Sequence, residues 1–256
     1  MSSAAAKSVT VRALSTQQEF QDAVQLQKDI WGFNDVELLP VRLFVVATKV
    51  GGQAFGAFDD GRMIGFCLAI PGLKSNGASY LHSHMLGVVP EYRDTGVGRL
   101  LKLQQREDAL VRSIDLVEWT FDPLEIKNAY FNMERLGAIV RRYVRNQYGT
   151  TTSHLHGGLP TDRCIAEWWI ASPRVKALVA GGPAVERPDT LERIAVPADI
   201  GDIRRQDPRR ARKIQQEISN RFEEYFDRGL AVFGVERSPE AGAYLLGRLE
   251  PDQIHK

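Results

Sequence analysis

Residues 8–14 alternate apolar and polar positions, the period of a strand. Two capping boxes compete directly after it, Ser15 with Gln18 and Thr16 with Glu19, and either would start a helix running to about Trp31. Residues 38–50 are largely apolar and read as helix or strand, with Pro40 able to open a helix. A β-hairpin follows: residues 53–58, the turn Asp60-Gly61, then residues 63–70, ended by Pro71 and Gly72. Residues 80–89 form the next strand. Beyond a glycine-bearing turn, Val97, Leu100, Leu101 and Val111 share one face of a helix. Residues 114–121 are a strand closed by Asp122-Pro123. A helix over about 126–136 ends at Gly137, a natural C-cap, and residues 138–148 return as a strand.

Residues 150–162 are polar and turn-rich, and 166–170 form a short aromatic strand. GGP and RPD within 180–190 mark a long loop. Ile214, Ile218, Phe222, Tyr225 and Phe226 recur at helical spacing, and residues 230–235 and 243–249 read as strands around Ser238-Pro239. This pattern predicts a disordered tail over 1–7, a main domain over 8–172, a linker over 173–190 and an α+β extension over 191–256. The extension either folds as a small domain or prolongs the main sheet. The fold class is α/β, a mixed and largely antiparallel central sheet flanked by helices.

Composition narrows the function without naming it. The 256 residues carry a formal net charge of +1, with both signs mixed along the chain, so there is no electrostatic footprint for nucleic acid. Cys67 and Cys164 make neither a disulfide framework nor a zinc spacing, which fits a reducing cytoplasm. No run of 18 apolar residues points to a membrane. Trp168 and Trp169 face opposite sides of their strand, so one packs in the core or against a partner subunit, which leaves room for a homodimer.

The chemistry is concentrated in VVPEYRDTGVGRLLK, residues 88–102. A strand runs through this turn into a helix. Gly96 and Gly98 let the backbone come close to a guest, the first helical amides and the helix dipole favour an anion, and Arg93 adds a full charge. A phosphate or pyrophosphate is the natural guest. A Walker loop needs Gly-Lys-Ser/Thr, and Gly98 is followed by Arg99-Leu100. The dinucleotide fingerprint needs a third glycine where Leu101 stands. The remaining pattern is Arg/Gln-x-x-Gly-x-Gly/Ala.

With that pattern, and with the element order over about residues 8–148, the sequence resembles the GNAT superfamily of acyl-CoA-dependent N-acyltransferases. The stretches HSHMLGVVPEYRDTGVG, WTFDPLEIKNAYFN and LGAIVRRYVRNQYG are similar to a predicted-acetyltransferase subgroup with a long C-terminal extension, some members of which are tied to N-succinylamino-acid metabolism. The resemblance implies acetyl-CoA, or another acyl-CoA such as succinyl-CoA, as co-substrate. It implies that Leu86, Gly87 and Val88 offer backbone groups to the pantetheine arm and that Arg93, Asp94, Thr95, Gly96, Val97, Gly98 and Arg99 cradle the pyrophosphate. Asn128 matches a recurrent family asparagine that faces the cofactor. The expected acceptor is the amine of a small molecule or amino acid; nucleic acid, membrane and metal are not expected.

Acyl transfer to an amine needs an oxyanion donor, a base and, for the thiolate, an acid. Glu118 and His84 are the candidate bases, each mid-strand; Glu118 could equally face solvent, and His84 could be structural. His82 and His84 share a strand face, but no third metal ligand is nearby, and His154 and His156 sit in a loop. Many relatives place an acidic tyrosine four residues before the glycine that ends the second cofactor helix; here that position is Met133. Tyr130 lies on the same helix about 60° away, three residues earlier, and Tyr143 and Tyr148 are on the next strand. Arg141 and Arg145 share strand parity and Arg142 does not; the three could meet a ligand carboxylate or form a solvated face. The rival reading is a non-catalytic module that binds acyl-CoA and uses its C-terminal part to sense or tether.

Overall fold

The structure, a computed structural model, describes residues 9–149, 158–182 and 186–250. The tail 1–7 and the pair His154 and His156 lie outside the described residues. The chain divides into two compact units, Met1–Ile114 and Asp115–Lys256.

The first unit is a four-stranded antiparallel sheet in the order β1 (Thr10–Ala13), β2 (Gln53–Asp59), β3 (Arg62–Leu73), β4 (Ser79–Val88). Three helices pack on it: α1 (Gln17–Trp31), α2 (Val41–Lys49) and α3 (Val97–Val111). Of the two caps, Thr16 with Glu19 forms: the Thr16 hydroxyl accepts from the Glu19 amide at 3.2 Å and the Glu19 carboxylate accepts from the Thr16 amide at 3.0 Å. The ambiguous stretch after it is helix α2, with Pro40 as its N-cap. The hairpin turns at Asp60-Gly61, both with positive φ. Contrary to expectation, β3 does not stop at Pro71. It continues to Leu73, with Pro71 opposite Leu81 and Gly72 opposite Tyr80. β2 ends opposite Ala69, so from there β3 is an edge on that side and a residue without an N–H is tolerated.

The face of α3 also differs from the apolar pattern. Val97 and Leu101 are buried, but so are Lys102, Gln105 and Ala109, whereas Leu100 and Val111 are exposed. The core of this unit joins Phe20, Phe44, Phe58 and Phe66 with Ile64, Leu68 and Leu101.

The second unit is a six-stranded antiparallel sheet in the order β5 (Leu116–Phe121), β7 (Arg163–Trp169), β6 (Ile139–Val144), β9 (Ala231–Arg237), β10 (Ala241–Gly247), β8 (Glu192–Pro197). Its helices are α4 (Ile126–Tyr130), extended by a π turn over Phe131–Arg135, α5 (Pro173–Val179), α6 (Ile200–Gln206) and α7 (Pro208–Asp227). Gly137 closes the π turn with φ 80°. The last three strands prolong this sheet through the pair Val140–Val232, and α7 lays Ile218 and Phe222 into the core. Tyr244 packs edge-on to Phe222 and donates its hydroxyl to the Pro123 carbonyl at 2.7 Å. Arg204 on α6, almost fully buried, bridges Asp122 at 2.7 Å and Glu125 at 2.8 Å. Trp168 is the tryptophan of the core, its indole N–H donating to the Leu136 carbonyl, while Trp169 is half-buried.

Candidate functional site: an amide cradle at the start of a helix

The strand β4 ends at Val88, and the Val89 amide is held by the Ile64 carbonyl at 2.9 Å. Pro90–Tyr92 then make one 3-10 turn, anchored by the Tyr92 hydroxyl on the Asp59 carboxylate. Asp94 takes φ 63°, a left-handed conformation that aspartate tolerates, and Gly96 caps α3 with φ 96°. Thr95 donates its hydroxyl to the Tyr92 carbonyl at 2.7 Å, and Arg93 reaches back to the Val88 carbonyl at 3.4 Å.

This geometry leaves the backbone amides of Thr95, Gly96, Val97 and Gly98 without an acceptor among the described residues. They are consecutive, stand at the positive end of a 15-residue helix, and lie beside an exposed guanidinium. An anion is the group that satisfies all of them at once. A Cβ at Gly98 would meet nothing closer than Leu86 Cδ2 at 3.6 Å, so the fold itself leaves room for a side chain there. Gly87 is different: a Cβ there would strike the Trp31 ring at 2.7 Å, so its glycine serves the packing of α1 on β4.

His84 is the extra residue of a β-bulge in β4, between the pairs Leu68–Met85 and Ala69–Ser83. Its ring lies 5.8 Å from that of His82. Burial lowers the pKa of both, His82 to about 4 with help from neighbouring positive charge, so both favour the neutral imidazole near neutral pH. Between them Ser83 points inward and accepts from Lys102 Nζ at 2.8 Å, and Lys102 also reaches Gln105 Oε1 at 3.1 Å. Burial lowers the Lys102 pKa to about 7. This polar cluster is not visible in the sequence because Lys102 and Gln105 interrupt the apolar helix face expected through Leu100 and Val111.

In the second unit Glu118 is buried mid-strand on β5, in register with buried Glu167 on β7. Arg142 pairs with both carboxylates and Arg141 with Glu167. Parity had separated these two arginines. Arg141 is the extra residue of a bulge between the pairs Val140–Ala166 and Arg142–Ile165, and that bulge brings both guanidiniums to one carboxylate. Arg145, past the end of β6, turns to Glu223 and Asn220 on α7. Glu167 was missed; its signal was an acid inside an aromatic strand.

Asn128 is exposed on α4, and its side chain bonds no described residue. Tyr130, half-buried, has the guanidiniums of Arg135 and Arg237 over its ring and no described partner for its hydroxyl. Met133 is fully buried. Tyr143 donates to Asp162 at 2.9 Å and stacks on Phe222, and burial drives its pKa far above the ordinary phenol value. The Tyr148 hydroxyl pairs with Thr120 at 2.8 Å. Among the described residues no group of three or more His, Cys, Asp or Glu side chains could hold a metal ion, and no helix is long and apolar enough to cross a membrane.

No family model matches the chain, and no curated protein matches it in sequence. Solved structures do match it. NAA60 of Arabidopsis thaliana in complex with a bisubstrate analogue superimposes with a TM-score of 0.52 at 17% identity, over 64% of this chain and 99% of that one. A protein of the GNAT family from Desulfovibrio desulfuricans gives 0.50 at 16% identity, over 64% and 100%. The NatC complex bound to Gag peptide and CoA gives 0.50 at 15% identity, over 62% and 96%. The mixed, mostly antiparallel architecture, the strand–turn–helix cradle and these superpositions agree: the chain has the GNAT N-acetyltransferase fold.

Proposed function

We propose that the protein is an acyl-CoA-dependent N-acyltransferase of the cytoplasm. The observation that carries this reading is the row of four unpartnered amides from Thr95 to Gly98 beside Arg93. On this reading those amides, with Asp94 and Arg99 completing the turn, hold the CoA pyrophosphate. Backbone groups of Leu86, Gly87 and Val88 hold the pantetheine arm, and Asn128 faces the cofactor. Acetyl-CoA is the expected donor, with succinyl-CoA as the alternative.

In the reaction the acceptor nitrogen attacks the thioester carbonyl, a C–N bond forms, and the C–S bond breaks with departure of CoA thiolate. A β4 backbone N–H would stabilise the tetrahedral oxyanion. His84 suits the role of base, because its lowered pKa leaves an imidazole free to accept the proton that the amine loses. Glu118 is the second candidate base, already carrying a hydrogen bond from Arg142. Tyr130 is the candidate acid for the thiolate, its hydroxyl being uncommitted.

The proposed acceptor is a small amine or amino acid. NatC was solved with a peptide, so peptide amino termini belong in the same panel. Thiol release from acetyl-CoA and succinyl-CoA is measured against that panel. Turnover with at least one amine, lost in His84→Ala, Glu118→Gln or both, supports the assignment. CoA binding without turnover on any acceptor supports a binding module instead. Absence of CoA binding removes the reading altogether.

A further inference from the structure

Helix α7 carries its charges in the order that its own dipole disfavours. Behind the cap Asp207, its first turns hold Arg209, Arg210, Arg212 and Lys213, with no acid in the first turn. Its end holds Glu223, Glu224 and Asp227, with no base in the last turn. A helix is positive at its start and negative at its end, so like charge sits on like at both ends. The same chain follows the favourable order in α1, with Glu19 in the first turn and Lys28 in the last. The inner face of α7, with Ala211, Ile218 and Phe222, is buried, so packing holds the helix and the inversion is tolerated.

The outer face is ordered in the same way. Arg209, Lys213, Gln216, Asn220, Glu224 and Asp227 are all exposed and follow one another at steps of three or four, the spacing of one helix face. The stripe runs from cations through two amides to acids. The side chains of Arg209, Lys213 and Asp227 bond no described residue, and Glu224 meets Arg228 one turn on at 3.6 Å.

Turned end for end, this stripe is its own complement. A two-fold axis level with Ile218 and perpendicular to the helix sets Arg209 against the partner's Asp227 and Lys213 against the partner's Glu224. Gln216 then meets the partner's Asn220 at the centre, and the symmetry makes every contact twice. The two helix dipoles run antiparallel, which removes the mismatch at each end. A parallel pair would set like charges together. A polyanion would meet the basic half and be repelled by the acidic half, and a polycation the reverse.

We propose that the exposed face of α7 is a self-association surface whose occupant is α7 of a second copy of this chain, laid antiparallel. The formal net charge of +1 leaves little long-range repulsion between copies. One helix face is small, and exposed ion pairs contribute little singly, so the dimer is weak and sensitive to salt.

The test is sedimentation equilibrium of the full chain, with no CoA present. At about 50 mM salt the parent dimerises with a Kd of about 100 μM or tighter, and at about 500 mM salt at least tenfold more weakly. Two double variants reverse one half of the stripe each: Arg209→Glu with Lys213→Glu, and Glu224→Lys with Asp227→Lys. Each is monomeric alone, and an equimolar mixture of the two dimerises at least as tightly as the parent, because every pair across the mixed interface is again of opposite sign. Both variants move charge in the direction the helix dipole favours, so they melt no lower than the parent, and loss of association is not loss of folding. The proposal is overturned if the parent stays monomeric at about 500 μM in low salt, if either variant associates as the parent does, or if the mixture does not associate. No arm depends on CoA, so the result is separate from the fate of the acyl-transfer reading.

Discussion

Gly98 and Leu86 face each other across 3.6 Å, the distance from a Cβ built on the glycine to Leu86 Cδ2. That is ordinary contact. The protein therefore does not need a glycine there for its own packing, and a closely approaching guest supplies a reason. Gly98→Ala is expected to keep or slightly raise the melting temperature, since alanine narrows the unfolded chain. Gly98→Glu is expected to leave folding intact while weakening CoA binding about 100-fold, roughly 2.7 kcal/mol, by bulk and like charge. Thermal melting and CoA titration of both variants check this.

Lys102 makes stability depend on pH. Its folded pKa is about 7 against an ordinary 10.5, so between those values the unfolded chain holds a proton that the folded chain lacks. Stability then rises with pH from about 7 upward, by about 1.4 kcal/mol per unit for one proton, and the penalty is constant below about 7. Cys67, raised to about 12, acts oppositely once unfolded thiols ionise near pH 9. Urea unfolding at pH 7, 8 and 8.5, in parent and Lys102→Met, isolates the lysine: the variant loses the upward slope.

The Arg142 guanidinium holds two buried carboxylates, Glu118 and Glu167. Arg142→Met is expected to cost about 2 kcal/mol, less than a fully buried pair because the guanidinium is half-exposed. Adding Glu118→Gln recovers part of that loss, because it removes one of the stranded charges. Denaturant unfolding of the single and double variants measures the coupling.

Met133 stands fully buried where the resemblance places a tyrosine. Met133→Tyr is therefore expected to overpack the core, costing about 1–3 kcal/mol, and to leave the rate of thiol release no higher than in the parent. A faster variant with unchanged stability would show that the position opens to the reacting groups after all.

Much of the fold is legible in the sequence where one local signal dominates. Asp60-Gly61 fixes the hairpin, Thr16 with Glu19 fixes the start of α1, and Ile214, Ile218 and Phe222 fix α7. The losses have equally local causes. α5 falls inside the expected linker although Ser172 caps it and Pro173 opens it, because its seven residues carry little periodicity. α6, at seven residues, is shorter than the window in which a helical period can be recognised. Neither bulge announces itself: His84 and Arg141 each shift the parity of their strand, and only the pairing register reveals it. The turn from β4 into α3 was legible because glycine, charge and helix start coincide within a few residues. The carboxylate pair Glu118–Glu167 was not, because its members are far apart in the chain.

The central claim is that the amides of Thr95 to Gly98 grip the diphosphate of CoA. A crystal structure of the protein with CoA tests it most directly. The account predicts diphosphate oxygens within hydrogen-bond distance of those four amides, with the Arg93 guanidinium alongside. Coenzyme bound elsewhere with this turn empty would contradict it.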